Sequence, residues 1–437
     1  MSHAARILFV PLSVSVAACS LLSLSGCGSS DDSQQPVAGA SGNSPAAGSS
    51  NASAGKGSGG KGGGSNAAGG DGSDTAGEGG SNAVGGGGSP PAGGGGPVTP
   101  VCNGQPQWTD ISTAQINSLG GSNAQSYPGG VSGVVVNHLT GDVTIHIVGF
   151  GLWRSSNQGG SWARIDDGVI DKNGGRCETG WGLQYDPDDP TRLASFTLDG
   201  TAGYTADGMA WKGWAESGWG RNWDFGAVDW SADGAQTIFG VLHETTPRSL
   251  YLISTNGGTS WSAIDNNHVA NMVGVIDSKT LIASRTSGIE RSTDLGETWK
   301  SVSDVTPLGH VAIRFQSKYY VTSADGILVS ADQGMTWKKQ GTAIANTKMY
   351  QGPYFGTDEN TMVVGTQPND NVFGAGSSIY KTSDGGATWT KVADVPTPNN
   401  GFPISYAWYG SFAWDPMSDT YYTSAMSNPA YRLDCTH

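Results

Sequence analysis

The sequence predicts an all-β chain: a seven-bladed β-propeller behind a signal peptide and a disordered Gly/Ser/Ala-rich tether. Three observations carry this. Five segments, residues 155–162, 254–261, 292–299, 330–337 and 382–389, repeat one pattern, Ser/Thr-x-Asp/Asn-x-Gly-x-Ser/Thr-Trp, and a worn sixth copy at 204–211 keeps Gly208 and Trp211. The copies start at residues 155, 204, 254, 292, 330 and 382, so the spacing runs from 38 to 52 residues, the length of a four-stranded blade. Residues 28–100 hold 25 Gly in 73 positions and no aromatic residue, a composition from which no core forms.

The chain opens on a targeting segment. Arg6 precedes an apolar run from Ile7 to Leu24, followed by Leu24-Ser25-Gly26-Cys27. Small residues before the cysteine favour processing over a retained helix. This stretch resembles the bacterial lipoprotein box, which implies cleavage before Cys27, lipidation of that cysteine and a place in the cell envelope. Gly28 stands where an inner-membrane retention signal carries Asp, so the outer membrane or cell surface is expected. Residues 28–100 then form a flexible tether with a reach of about 45 Å, and the propeller occupies 101–437.

Each repeat is built as a tight turn. An Asp or Asn side chain accepts hydrogen bonds from backbone N–H groups of its own turn. The fifth-position Gly takes a backbone conformation that a side chain would hinder. The Trp is expected to plug the turn against the apolar layer of its own blade. Flanking segments alternate like strands, as in Gly151-Leu152-Trp153-Arg154 before the first turn and Trp162-Ala163-Arg164-Ile165 after it, so each turn joins two antiparallel strands. After the sixth copy, Ser411–Asp415, Thr420–Ser424 and Ala430–Leu433 supply three strands of a seventh unit. Its fourth strand is expected from the domain's start, at Gln107-Trp108-Thr109-Asp110-Ile111. Six blades with 401–437 as an appendage is the alternative.

The turns resemble the Asp-box (BNR repeat) motif of sialidases, xyloglucan-active propeller hydrolases, the sortilin ectodomain and a photosystem assembly factor. The resemblance spans about residues 106–435. It implies that each motif joins the third and fourth strands of a blade, away from the ligand face, so the motif residues themselves are structural. It implies no single activity. Sialidases carry a Phe/Tyr-Arg-Ile-Pro signature that this chain lacks. The xyloglucan-active relatives carry a catalytic Asp in an Arg-Thr-Asp-Ile-Gly-Gly stretch, and the matching piece here, His146 to Arg154, has Val148 at that position.

Residues 101–437 carry 20 basic and 32 acidic residues, a formal charge of −12 out of the chain's −14. Such a domain repels nucleic acid and anionic lipid at long range, so membrane contact is expected through the lipid anchor alone. Of the five cysteines, Cys19 leaves with the leader and Cys27 is lipidated. An oxidising compartment then allows three pairings of Cys102, Cys177 and Cys435. A Cys102–Cys435 disulfide stapling the ring closure is the chosen one. That leaves Cys177 as a buried structural thiol, or as a reactive one beside Arg176.

Ligand chemistry is expected on the loops that enter each blade's first strand and on those joining second to third strands. These loops are rich in aromatic and ionisable residues. Arg176, Trp181, Arg221, Trp223, His310, Tyr354, Tyr406 and Trp408 are the binding candidates, with Trp223 and Trp408 foremost for stacking on sugar rings. Glu178, Asp224 and Glu244 are the candidate catalytic carboxylates. A glycoside hydrolase needs two, about 5–5.5 Å apart for retention or about 6.5–9.5 Å for inversion. No Gly-x-Ser-x-Gly elbow in the domain, His-Glu-x-x-His or Cys-x-x-Cys pattern occurs, and Asp186-Pro187-Asp188-Asp189-Pro190 reads as a strand-connecting turn rather than an ion loop. No metal or cofactor is expected. The expected function is binding, with or without hydrolysis, of a carbohydrate polymer by a monomeric envelope lipoprotein. The alternative is a non-catalytic scaffold for an envelope protein.

Overall fold

Short strands separated by tight turns pair with their neighbours in sequence, and the result is seven antiparallel four-stranded sheets. The computed structural model describes residues 106–120, 129–170, 175–177, 180–230, 236–243, 250–265, 271–371, 374–397 and 403–435, all within the unit Ser89–His437. The leader, the tether, Cys27 and Cys102 lie outside the described residues. So do the candidates Glu178 and Glu244. The chain is a seven-bladed β-propeller.

The innermost strands of blades 1 to 7 are Val131–Val136, Leu183–Tyr185, Trp223–Val228, Met272–Val275, Ile313–Phe315, Thr347–Phe355 and Gly410–Asp415. Those of blades 1 and 7 are wholly buried. Outermost strands such as Ala163–Arg164 and Lys300–Ser303 are polar and exposed. That gradient follows from the ring: the first strand faces its counterparts around the axis, and the fourth faces water. Apolar layers fill the gaps between blades, as where Val131, Val134 and Ile145 of blade 1 meet Ala413 and Tyr422 of blade 7.

Blade 7 takes its fourth strand from the start of the domain. Pro106–Asp110 pairs antiparallel with Tyr431–Cys435, in a register running from Pro106 opposite Cys435 to Asp110 opposite Tyr431. This closure is the expected one, and the six-blade alternative falls. Just beyond the pairing, Ile111 donates its backbone N–H to the Ala430 carbonyl at 3.0 Å, and the Ala430 N–H donates to the Ser112 hydroxyl at 2.8 Å.

The repeated turns join third and fourth strands. In the first, Ser155 Oγ donates to Asn157 Oδ1 at 2.8 Å and accepts from the Gly159 N–H at 2.8 Å. Asn157 Oδ1 also accepts from the Ser161 N–H at 2.8 Å. The bonds recur at Ser292–Asp294 and Thr382–Asp384, where hydrogen bonds from Thr298 and Thr388 pull the carboxyls down to about 2. Two details differ from expectation. In the worn copy, Thr205 and Asp207 make the Ser–Asp bond at 3.0 Å, so that turn is one residue shorter and Gly208 is not at the fifth position. The Trp also reaches beyond its own blade. Trp162, Trp261 and Trp389 donate their indole N–H to the carbonyls of Ile111, Ala215 and Thr342, each just past the outermost strand of the preceding blade. The indole therefore stitches one blade to the next, while Trp299 bonds within its own turn, to Gly296.

The chain enters the innermost strands on one face of the ring, the entry face. It leaves them on the opposite face, which also carries the repeated turns.

Candidate functional site

The entry-face loops converge over blades 2 and 3 into one polar network. Arg176, just before blade 2, forms an ion pair with Asp199, from the loop joining that blade's second and third strands. The Asp199 N–H donates to Asn222 Oδ1 at 3.0 Å, and the His243 N–H donates to the Asn222 carbonyl at 2.8 Å. His243 Nδ1 then meets Asp224 Oδ1 at 2.7 Å, with side chains 24% and 15% exposed. Asp199 is reachable from solvent, at 48% exposure, and holds a left-handed φ of 60°, which Asp tolerates better than most residues. The network is a hydrogen-bonding surface of alternating charge.

Beside it, side chains from several blades plug the channel mouth. His310 stacks on Phe225 at 4.6 Å between ring centroids. It meets Trp181 edge-on at 6.5 Å and Trp408 at 6.3 Å. Its Nδ1 lies 2.8 Å from the Asn271 carbonyl, so Nδ1 carries the proton. Burial lowers the His310 pKa, which keeps the ring neutral near pH 7. Gln351, fully buried, donates to the Gly410 carbonyl and accepts from the Phe412 N–H. The Gly180 N–H donates to the Trp408 carbonyl at 3.2 Å. Among the described residues these contacts tie blades 2 to 7 together across the mouth.

The structure brings Arg176 and Asp224 into one network, and Trp181, His310 and Trp408 into one plug. Other candidates go elsewhere. Trp223, expected to stack on a ligand, is 2% exposed and packs among Phe196, Trp214 and Trp261. Tyr406 is fully buried, and its hydroxyl pairs with that of Thr423 at 2.9 Å. Tyr354 packs edge-on against Phe412 at 4.8 Å and faces the far end of the channel. Arg221 is exposed on the entry face. The sequence reasoning missed Trp219, which at 49% exposure joins Trp408 at 39% as the accessible indoles of this face. Its setting, Gly218-Trp219-Gly220, was the available signal, because no flanking side chain covers the ring.

Cys177 is a buried thiol. Its sulfur lies 3.0 Å from His146 Nδ1, and its N–H donates to Ser132 Oγ at 2.9 Å. A reactive role beside Arg176 is not what this burial offers, since thiolate chemistry needs solvent access. The Asp186–Pro190 run is a turn between strands. Its carboxylates pair with arginines, Asp188 with Arg314 at 2.6 Å and Asp186 with Arg192 at 3.4 Å. Among the described residues no cluster of His, Cys, Asp or Glu has metal-site geometry, and no helix is long and apolar enough to cross a membrane.

No protein-family model and no curated protein matches the chain. Among solved structures it is similar to a GH74 enzyme from Niastella koreensis, with 18% identity, 70% of this chain and 54% of that one covered, and a TM-score of 0.43. It is similar to a GH74 xyloglucanase from Xanthomonas campestris, with 16% identity, coverage of 75% and 46%, and a TM-score of 0.34. YCF48 from Cyanidioschyzon merolae shares 10% identity, with coverage of 75% and 98% and a TM-score of 0.42. The chain spans about half the length of the two GH74 structures. These likenesses are of fold alone and carry no residue role to this chain.

Proposed function

We propose that this chain is an envelope lipoprotein whose propeller binds a carbohydrate polymer across its entry face. In this reading residues 1–27 are the leader ending at lipidated Cys27, 28–100 the tether and 101–437 the binding domain, with turns of the Asp-box type. One observation carries the proposal: two exposed indoles, Trp219 and Trp408, share a face with the Arg176–Asp199–Asn222–His243–Asp224 network. Sugar C–H faces stack on rings, and sugar hydroxyls exchange hydrogen bonds with carboxylate, amide and imidazole groups. The plugged mouth means that a polymer lies across the face rather than through the ring. Asp224 is the carboxylate to test for hydrolysis, because it is already oriented by His243.

The test is affinity for a panel of xyloglucan, β-glucans, arabinans and sialosides, for the wild type and for Trp219→Ala with Trp408→Ala. Each stacked ring is worth roughly 1 kcal/mol, so the double variant is expected to weaken binding about tenfold or more. Unchanged affinity for every bound glycan would remove the site. Reducing-end release by the wild type and not by Asp224→Ala would add hydrolase activity to the reading.

A second reading, a protein-binding scaffold, is favoured by the plug itself. A closed channel mouth makes the entry face a platform rather than a cleft. A stoichiometric envelope partner that still binds the double tryptophan variant would support this reading over the first.

A further inference from the structure

An aromatic cavity lies at the other end of the channel. Trp181, the inner wall of the plug, also forms the cavity's floor, and the space opens toward the opposite face. Its walls are Tyr185, Trp230, Phe315, Tyr354 and Phe355, with Phe315 and Phe355 stacked at 4.3 Å. The volume is about 130 Å³. That is close to the size of cavities that hold one benzene ring, and well below a drug-sized pocket. The cavity takes one small group.

The charge around it has a sign. Arg314 and Asp229 line it. Arg314 is paired with Asp188 and Asp186, and Asp186 and Asp189 also hold Arg192, whose guanidinium bonds the Trp230 carbonyl. Three carboxylates, Asp186, Asp188 and Asp189, thus stand against two guanidiniums. His138, which packs on Tyr185 at 5.7 Å, adds little positive charge near neutral pH, because burial lowers its pKa. The phenol of Tyr185 is pushed up to about 12, so the tyrosine walls stay neutral as well.

Aromatic ring faces attract cations through their quadrupoles, the more so when the cation is desolvated. An acidic surround raises the local concentration of cations and excludes anions. We propose that this aromatic cavity on the opposite face is a binding site for a small organic cation, an ammonium group carried on an apolar body. It is separate from the entry-face site, since the plug divides the two.

The test uses phenethylammonium, with 2-phenylethanol and phenylacetate as its neutral and anionic counterparts, by isothermal titration against the intact protein. The expected result is binding of the cation about tenfold tighter than the alcohol, with no saturable binding of the anion. Asp188→Asn, at a side chain 58% exposed, is expected to weaken the cation several-fold with an unchanged melting temperature. Phe355→Leu is expected to weaken cation and alcohol together. Trp219→Ala, which lies outside the plug, leaves all three affinities as they were, which separates this site from the glycan reading. Equal affinity for cation and alcohol, no binding of any probe at millimolar concentration, or loss of cation binding in Trp219→Ala would each overturn the proposal. If Phe355→Leu does not fold, Asp188→Asn decides alone.

Discussion

Beside the strand pairing that closes the ring, a buried side chain adds one further bond, and Ser112→Ala tests it. Ser112 is 1% exposed and Ala430 is fully buried. The Ser112 hydroxyl accepts from the Ala430 N–H across 318 residues of sequence. Removing the hydroxyl takes away the acceptor that this buried N–H has in the fold. An unpaired buried backbone donor costs about 1–3 kcal/mol. Domains of 150–250 residues lose roughly 2–4 °C of melting temperature per kcal/mol, and this propeller is larger, so a fall of about 2–8 °C is expected. Calorimetric melting of both forms measures it, with Ser118→Ala as the control. The Ser118 hydroxyl bonds the Gln115 carbonyl at 2.7 Å in an exposed turn, and its loss is expected to move stability by less than about 0.5 kcal/mol. If Ser112→Ala melted together with Ser118→Ala, within a degree of the wild type, the claim that this bond adds to the closure would be wrong.

Two further outcomes follow from the packing. Gly258, at φ +80°, would place a Cβ 2.6 Å from Trp214 Cγ, whereas Gly120, also at φ +80°, has nothing within 4 Å. Gly120→Ala is therefore expected to cost only the left-handed strain, about 1–2 kcal/mol, and Gly258→Ala about 1–3 kcal/mol more from overpacking; equal urea midpoint shifts would refute the clash. The second outcome concerns acid. Burial lowers the His310 pKa below its ordinary 6.5, so the unfolded chain takes up a proton that the fold resists. Stability is then complete above about pH 6.5 and falls as pH drops from 6.5 through the folded value. Replacing the titrating ring by His310→Gln should flatten the fall in melting temperature between pH 6.5 and 5, and an unchanged slope would exclude His310 as its source.

The repeated turn was legible because its hydrogen bonds are local. Ser155, Asn157 and Gly159 satisfy one another within five residues, and such patterns survive in sequence as spacing. Closure was legible for a similar reason: three strands at 411–433 left one partner missing, and residues 107–111 resemble the strands that follow the repeated turns. The destination of the turn indoles was not legible. Trp261 bonds Ala215, 46 residues back, and nothing near Trp261 names that acceptor. Trp223 misled because Arg221, Asn222 and Asp224 around it read as a loop. Its seat is made by Gly240 on the adjacent strand, where a Cβ would lie 2.8 Å from Trp223 Cζ3. Tyr406 is seated over Gly365 in the same way, with its Cδ2 2.8 Å from where a Cβ would stand. The readable sign of a buried ring was a glycine inside a neighbouring strand, not the residues beside the ring.

That ambiguity has a physical root, and it bears on where function resides. A plug across a channel mouth and a carbohydrate surface demand the same residue types: flat apolar faces with polar edges, set among hydrogen-bonding loops. Composition alone cannot separate them. Exposure can: Trp181, Phe225 and His310 meet one another, Trp408 caps them with one face on His310 and the other in water, and Trp219 stands in water outside the plug. Once the first group closes the mouth, the ring has two independent surfaces rather than one through-channel. The entry face is left with an open, hydrogen-bonding platform suited to an extended partner. The far end is left with an aromatic cavity, open toward its own face and too small for a polymer. Substitutions at one end that leave binding at the other untouched are the consequence of that division, and the plug residues are the ones whose loss would couple them.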